Sequence, residues 1–539
     1  MSLQITRKLL LLPVLFIISF PALSAMVPSG VMLSKTQSLF RQNPGEPNTL
    51  DPGKGSSDSE QSIIQDLFAG LVYLDGNNQV QPDLAQSWET KDGLTYVFHL
   101  RPGLVWSNGQ PLTAEDFVYS WRRLLTKTNS DYATYLAQAG VVNATTVAKG
   151  KLPAESLGVK ALDDNTLQVV LERPNVNFIQ MLTLPYLAPV NRQDVEEYGD
   201  KWTQPGNIVS SGPYTLKSWT VNERLVLVRN PRYYDSKDTI INQVTYLSIV
   251  QSQAAFDRYR AGEIDISTIP IDMYRKLHTV DQYASQIKTT PMAGVYYYIL
   301  NVTRPPFNDV RVRRALSLAL NKSVITDKVI AMGQKPAYLV APNVIGGMDF
   351  TSPPWGQWSQ EERNSEAKKL ITEAGFSRNN PLIFKLLYNT NEAHKKIAIA
   401  ASSMWEKTLG VNAKLTNEEW KTLLQDLDNR SFDVVRYAWT ADYNDASSFL
   451  YLFKTGNAMN NSGYSNPAYD KLLDAAARAP SLLKKNTYYQ QALTILAQDV
   501  PAIPIYQYVK VNAVKPWVGG YKSNLLGYTY TRDMYVVAH

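Results

Sequence analysis

The chain has 539 residues, 44% hydrophobic and 19% charged, with 54 Lys and Arg against 48 Asp and Glu for a net charge of +6. That length allows two or three domains around a large buried core, and so mild a charge gives no argument for nucleic acid as a partner. The absence of cysteine excludes disulfides, thiolate metal sites, Cys nucleophiles and lipid attachment at an N-terminal Cys.

A eukaryotic secreted protein of this size without cysteine is unusual, so the chain reads as bacterial. Residues 1–25 predict a cleavable export signal. Arg7 and Lys8 give a positive start, residues 9–20 (LLLLPVLFIISF) an apolar run broken by Pro13, and residues 21–25 (PALSA) a small residue for cleavage. The run is too short to span a bilayer comfortably, so the expected product is a soluble periplasmic protein.

In chain order, a short strand is predicted at residues 38–41 and a Pro- and Gly-rich loop at 43–59. A helix then begins near Ser59 and carries Ile63, Ile64, Leu67 and Phe68 at helical spacing. Residues 96–100 (YVFHL) read as a strand and residues 106–109 (WSNG) as a hairpin turn. Thr113 caps a predicted helix with Glu115 and Asp116 in its first turn. Further strands are predicted at 167–172, 224–228, 244–247 and 296–300 (YYYIL). A helix over 310–320 should turn Val310, Ala315, Leu318 and Ala319 inward and Arg311, Arg313 and Arg314 outward. Helices at 365–374, 394–408, 420–427, 468–479 and 485–499 then alternate with strands at 384–388, 413–415 and 502–508. The mixture argues α/β with β-rich insertions.

Residues 432–450 (FDVVRYAWTADYNDASSFL) stand out. A buried strand leads to Arg436 and Trp439, then to a polar turn holding Asp442 and Asp445. Extended, Arg436 and Asp442 lie about 20 Å apart, a spacing that suits a ligand with separated opposite charges such as a short peptide. No phosphate-cradling glycine motif and no GxSxG elbow accompany it. His99, His278, His394 and His539 are scattered without metal-ligand spacing. The adjacent acids Glu196-Glu197 and Glu418-Glu419 read as solvated faces. The expectation is a binder and not an enzyme, with no catalytic residues, metal or cofactor.

Several stretches resemble the periplasmic oligopeptide-binding proteins of ABC importers, within the peptide/nickel solute-binding family 5. They include residues 87–117 (SWETKDGLTYVFHLRPGLVWSNGQPLTAEDF), 211–214 with 219–231, 256–266, 296–320, 386–403, 439–449 and 515–520. The resemblance implies a two-lobed hinged clamp. Lobe I would comprise 26–68, 192–293 and 510–539, an additional α+β domain 69–191, and lobe II 294–509, with hinge crossings near Ala293/Gly294 and Val509/Lys510. By the same resemblance Asp442 pairs with the α-amino group of a peptide. Arg436 and His394 receive its carboxylate at different peptide lengths. Tyr437 to Thr440, Trp439 among them, bond its backbone, with Ser56 to Asp58 as the opposite rail. Trp420, Trp439, Tyr132, Tyr297 and Tyr508 line pockets, with Asn389 nearby.

The implied function is capture of short peptides in the periplasm, by a monomer, for delivery to an inner-membrane ABC permease. Cell-wall (murein) peptides are one candidate, and a bile-salt-like solute is the alternative. Departures from the family pattern concern charge. Relatives often carry a disulfide near Thr440 and Gly294, which is absent here. Ile330 and Leu427 stand where some relatives have basic residues, and Ile299 where they have an acidic one.

Overall fold

The computed structural model describes residues 25–539 except 56, 129, 458 and 480. The export signal read at 1–25 therefore lies, but for its last residue, outside the described residues, and Ser56 does too. Among the described residues no helix is long and apolar enough to cross a membrane.

Among the described residues one sheet of eleven strands organises the molecule, the short strand Lys335–Pro336 pairing with Ala502–Val514 off the main order. Two long strands, Ile287–Leu300 and Ala502–Val514, run antiparallel through its middle. Beyond Ala502–Val514 lie Ile266–Thr268, Ser38–Asn43, Gln243–Ser248, Arg224–Arg229 and Tyr214–Thr220. Beyond Ile287–Leu300 lie Val434–Thr440, Ile383–Asn389 and Asn412–Glu418. Parallel pairs (Ser38–Asn43 with Gln243–Ser248, Ile383–Asn389 with Asn412–Glu418) mix with antiparallel ones, as in α/β proteins whose sheets are covered on both faces. Tyr296 to Leu300 shows that covering directly, since all five side chains are buried.

The two long strands pair from Ile287 with Ala513 to Pro291 with Val509, and again from Val295 with Gln507. Between these runs Met292, Ala293 and Gly294 face Tyr508 alone. Ala293 uses its backbone in two directions there. Its N–H donates to Leu525 O at 2.6 Å and its carbonyl accepts from Ala441 N–H at 2.7 Å.

Residues 69–191 carry a separate antiparallel sheet, ordered Ala85–Thr90, Thr95–Leu100, Thr166–Val170, Val159–Asp163. The helix Ala114–Thr126 packs on it, started by Thr113 with Asp116 Oδ2 accepting the Thr113 N–H at 2.7 Å. Its core of Phe98, Trp106, Phe117 and Trp121 is continuous with that of the Ser38–Asn43 side, through Leu39, Ile63, Tyr214 and Val244. Two buried ion pairs fasten the two parts further. Arg123 meets Asp51 at 2.5 Å and Arg532 meets Asp83 at 3.2 Å. On the Val434–Thr440 side one cluster gathers around Val435, Leu427 and Tyr297 and takes in Leu74, Leu526 and Tyr528 from the other side, and a second gathers around Tyr298, Trp405 and Leu386.

The helix expected near Ser59 is Asp58–Leu67, capped by Ser57, with Glu60 Oε2 accepting the Ser57 N–H at 3.1 Å. Two local readings are corrected. On the helix Val310–Leu318 it is Val310 that is exposed and Arg313 that is buried. Arg313 satisfies two carbonyls there, donating to Asp499 O and Phe307 O at 2.7 Å each, which is how a long side chain buries its stem at tolerable cost. Glu418 ends the strand Asn412–Glu418 and is half-buried, so it is not part of a solvated helix face.

Candidate ligand-binding cleft

The strand Val434–Thr440 positions most of the site. One edge pairs with Ile287–Leu300 along its whole length, from Val434 with Leu300 to Thr440 with Gly294. On the other edge only Val434 and Val435 have partners, Leu386 and Leu387. The ladder to Ile383–Asn389 stops at Val435. The strand's backbone groups beyond it can accept an added strand.

Side chains alternate across the strand. On one face Arg436 is buried, with Nη1 donating to Asn389 Oδ1 at 3.1 Å and Nη2 to Tyr508 Oη at 2.9 Å. Its guanidinium lies 4.8 Å from the centre of the Tyr296 ring. These partners are an amide, a phenol and a ring face, and among the described residues no carboxylate forms an ion pair with the cation. His394 stands 5.6 Å from Tyr296, centroid to centroid, in the first turn of the helix Glu392–Leu409. Burial, then the Arg436 charge, pushes its pKa down to about 3, and a helix N-terminus disfavours its protonation further. The ring is neutral at any ordinary pH, and its buried Nδ1 finds no partner among the described residues.

The other face carries Tyr437 and Trp439. Trp420 stacks on Tyr437 at 6.2 Å and 9°, and Tyr297 meets the same ring edge-on at 6.2 Å. Trp439 Nε1 donates to Ser448 Oγ at 3.2 Å. The same oxygen accepts the Asp442 backbone N–H at 3.1 Å, so the indole and the Asp442 backbone are held by one hydroxyl.

Asp442 is half-buried just past the end of the strand. Among the described residues no Lys, Arg or His forms an ion pair with it. Its Oδ1 accepts from Tyr132 Oη at 3.4 Å, looser than the about 2.5–3.0 Å of a good hydroxyl bond. Burial pushes its pKa up to about 7 and the Tyr132 bond offsets only part of that. Tyr132 in turn packs on Tyr186 at 4.8 Å. Asp58 is exposed in the first turn of Asp58–Leu67. Its charge partly offsets the burial that pushes Lys510 down to about 8.

The residues singled out by the sequence thus fall into three groups. Arg436, His394, Asn389 and Tyr508 share one face of the sheet, Trp420, Tyr297, Tyr437 and Trp439 the other, and Asp442 with Tyr132 closes the end. Thr440 is exposed at the strand terminus and Asp58 lies apart. Sequence reasoning missed Ser448, Tyr186 and Tyr296. It also missed a buried pair behind the turn, where Lys485 meets Asp445 at 2.5 Å and Asn177 Oδ1 at 2.9 Å. The last contact joins residues 69–191 to the Val434–Thr440 side.

A sheet divided between two bodies by paired crossing strands, with an open strand edge and an unpaired acid between them, is the build of a two-lobed solute-binding protein. The chain belongs to the bacterial extracellular solute-binding proteins of family 5, whose middle-region model matches residues 79–461. It is 45% identical to the periplasmic oligopeptide-binding protein OppA of Escherichia coli over 96% of each chain. Identity to the Escherichia coli protein named YgiS, a probable deoxycholate-binding periplasmic protein, is 41% over 99% of this chain and 100% of that one. The solved structure of the Escherichia coli murein tripeptide binding protein MppA superposes with a TM-score of 0.86 at 42% identity, over 94% of this chain and 100% of that one.

Proposed function

We propose that this protein captures short peptides between its lobes in the periplasm and hands them to an inner-membrane ABC permease. One observation carries the reading. Asp442, a half-buried carboxylate that forms no ion pair among the described residues, adjoins a strand edge whose ladder to Ile383–Asn389 ends at Val435. A peptide's ammonium supplies the missing charge, and its backbone supplies the missing ladder. Strand addition bonds groups that all peptides share, so affinity need not depend on sequence. The ammonium–carboxylate contact fixes the register. Arg436, stabilised by neutral partners, is a cation kept for the peptide carboxylate, with neutral His394 beside it as a hydrogen-bonding group. The exported, monomeric state belongs to the same proposal.

In this proposal residues 26–293 and 510–539, the inserted 69–191 included, move as one body and 294–509 as the other, turning where the two long strands lose register. Domain closure of this type is a common switching mode.

Calorimetric titration with tri- and tetrapeptides tests the reading. Binding in the micromolar range or tighter is expected, and N-acetylation or Asp442→Asn should weaken it by about 2–5 kcal/mol. Indifference to acetylation removes Asp442 from its role. A second reading, a steroid carboxylate as ligand, is favoured by the likeness to YgiS. Saturable binding of deoxycholate with no response to any peptide would establish it instead.

A further inference from the structure

Away from the open strand, Arg173 of residues 69–191 meets the end of the helix Pro467–Ala477 across a space of about 70 Å³. One water needs roughly 10–15 Å³ by the same measure, so a few waters or one small polyatomic ion fit. The wall carries three cations, Arg173, Lys454 and Arg478, against one carboxylate, Asp474. Asp474 Oδ1 is taken by Lys454 Nζ at 2.5 Å. Arg173 and Arg478 are exposed, and among the described residues neither side chain forms an ion pair or a hydrogen bond. Neighbouring charges do not compensate them. Glu172 accepts the Asn143 N–H at 3.1 Å, and Lys485, in the adjoining cavity that Arg173 also lines, is matched by Asp445. Tyr451 completes the wall. Burial pushes its pKa up to about 12 against the pull of the Arg173 charge, so its hydroxyl is a neutral donor.

We infer that this space takes a small oxyanion, a phosphate or a carboxylate, and that the ion favours the closed clamp and so tightens peptide binding. The coupling rests on the two-body reading above, which assigns Arg173 to one body and Lys454, Tyr451 and Arg478 to the other. Guanidinium groups offer forked donors that match the oxygens of such ions. Closure sets like charges against one another across the seam, a cost that an anion between them removes. Opening would carry Arg173 away and dismantle the site. An ion that binds the closed form better must raise peptide affinity by the same factor by which peptide raises affinity for the ion.

Calorimetric titration of the full chain with trialanine tests the inference, in phosphate, acetate or chloride at equal ionic strength so that general screening is constant. Phosphate or acetate is expected to tighten trialanine binding about fivefold or more over chloride, and the one that acts identifies the oxyanion. Arg173→Gln and Arg478→Gln, both at exposed positions, should each abolish that gain. In chloride both variants should bind trialanine at least as tightly as wild type, because the repulsion across the seam is reduced. No gain in wild type, or the same gain in wild type and both variants, overturns the oxyanion site and leaves peptide binding standing. Failure of trialanine to bind in any buffer overturns the peptide reading and the coupling with it. Direct titration with phosphate and acetate then still reads the ion site, which stands if Arg173→Gln loses the binding and falls if wild type shows none.

Discussion

The Tyr132 hydroxyl reaches the Asp442 carboxylate across 310 residues of sequence, at 3.4 Å. A phenol is a weak substitute for a cation, and the carboxyl's pKa stays up at about 7.

Peptide binding should therefore be coupled to protons. An ammonium favours the ionised carboxyl, so affinity should fall as pH drops below about 7, by up to about tenfold per pH unit. Tyr132→Phe removes a bond that favours the anion and should move the midpoint to higher pH. Calorimetry across pH reads both, and a flat profile would refute the coupling. His394, neutral throughout this range, contributes no slope.

The same carboxyl should cost the unliganded protein stability. Its folded pKa lies above the unfolded value, so its stabilising contribution is complete below about pH 4 and is lost as pH rises through about 7. Asp442→Asn mimics the protonated form. It should be more stable than wild type by about 1–3 kcal/mol near pH 8.5, with the gap closing towards pH 5, while binding peptide poorly. Urea denaturation without ligand at both pH values checks the sign.

Arg436 depends on two neutral acceptors. Tyr508→Phe or Asn389→Ala leaves part of a buried guanidinium without a partner and should destabilise by about 1.5–3 kcal/mol each. The two sites share one side chain, so a double variant should depart from additivity. Changes within about 0.5 kcal/mol of wild type for both would mean that water reaches Arg436.

Lys485 and Asp445 are each 4% exposed. Lys485→Met strands a buried carboxylate and should cost about 3–5 kcal/mol, whereas adding Asp445→Asn should restore much of it. Denaturant unfolding of the single and double variants decides. An additive double variant would show that the pair does not interact.

Gly294 and Thr440 are direct partners across the two strands, and a Cβ on Gly294 would stand 3.2 Å from Thr440 Oγ1. Gly294→Cys with Thr440→Cys should form a disulfide on oxidation, seen as loss of free thiol and a raised unfolding temperature. Persistent free thiols would show that the side chains diverge.

How much of this was legible beforehand differs by kind. Asp442 and Arg436 drew notice as charges at the end of an apolar strand, a pattern that alone fits a core strand running into a loop, and their proposed roles came from the resemblance. The alternation of residues 436–439 was legible too, but not which face each would meet, so Tyr297 and Tyr508 were grouped although the sheet separates them. Ser448 was invisible as one of two adjacent serines, since its two bonds exist only once the turn has folded. The Lys485–Asp445 pair spans 40 residues, and a helix pattern gives no sign of which lysine is buried. Arg313 failed for a related reason. Periodicity reports polarity, and its guanidinium was satisfied by carbonyls from elsewhere.

The two backbone bonds of Ala293 bear on how a ligand is first met. Its amide is tied to Leu525 and its carbonyl to Ala441, which the proposed division assigns to opposite lobes, so rotation about this residue would leave both bonds intact and act as an axle. Asp442 follows Ala441 directly and would have almost no lever arm. Tyr132, assigned to the opposite body, would sweep away on opening, and the proposed amine anchor would stay in place. On that proposal a peptide would dock by its amino end first, with the far lobe arriving afterwards.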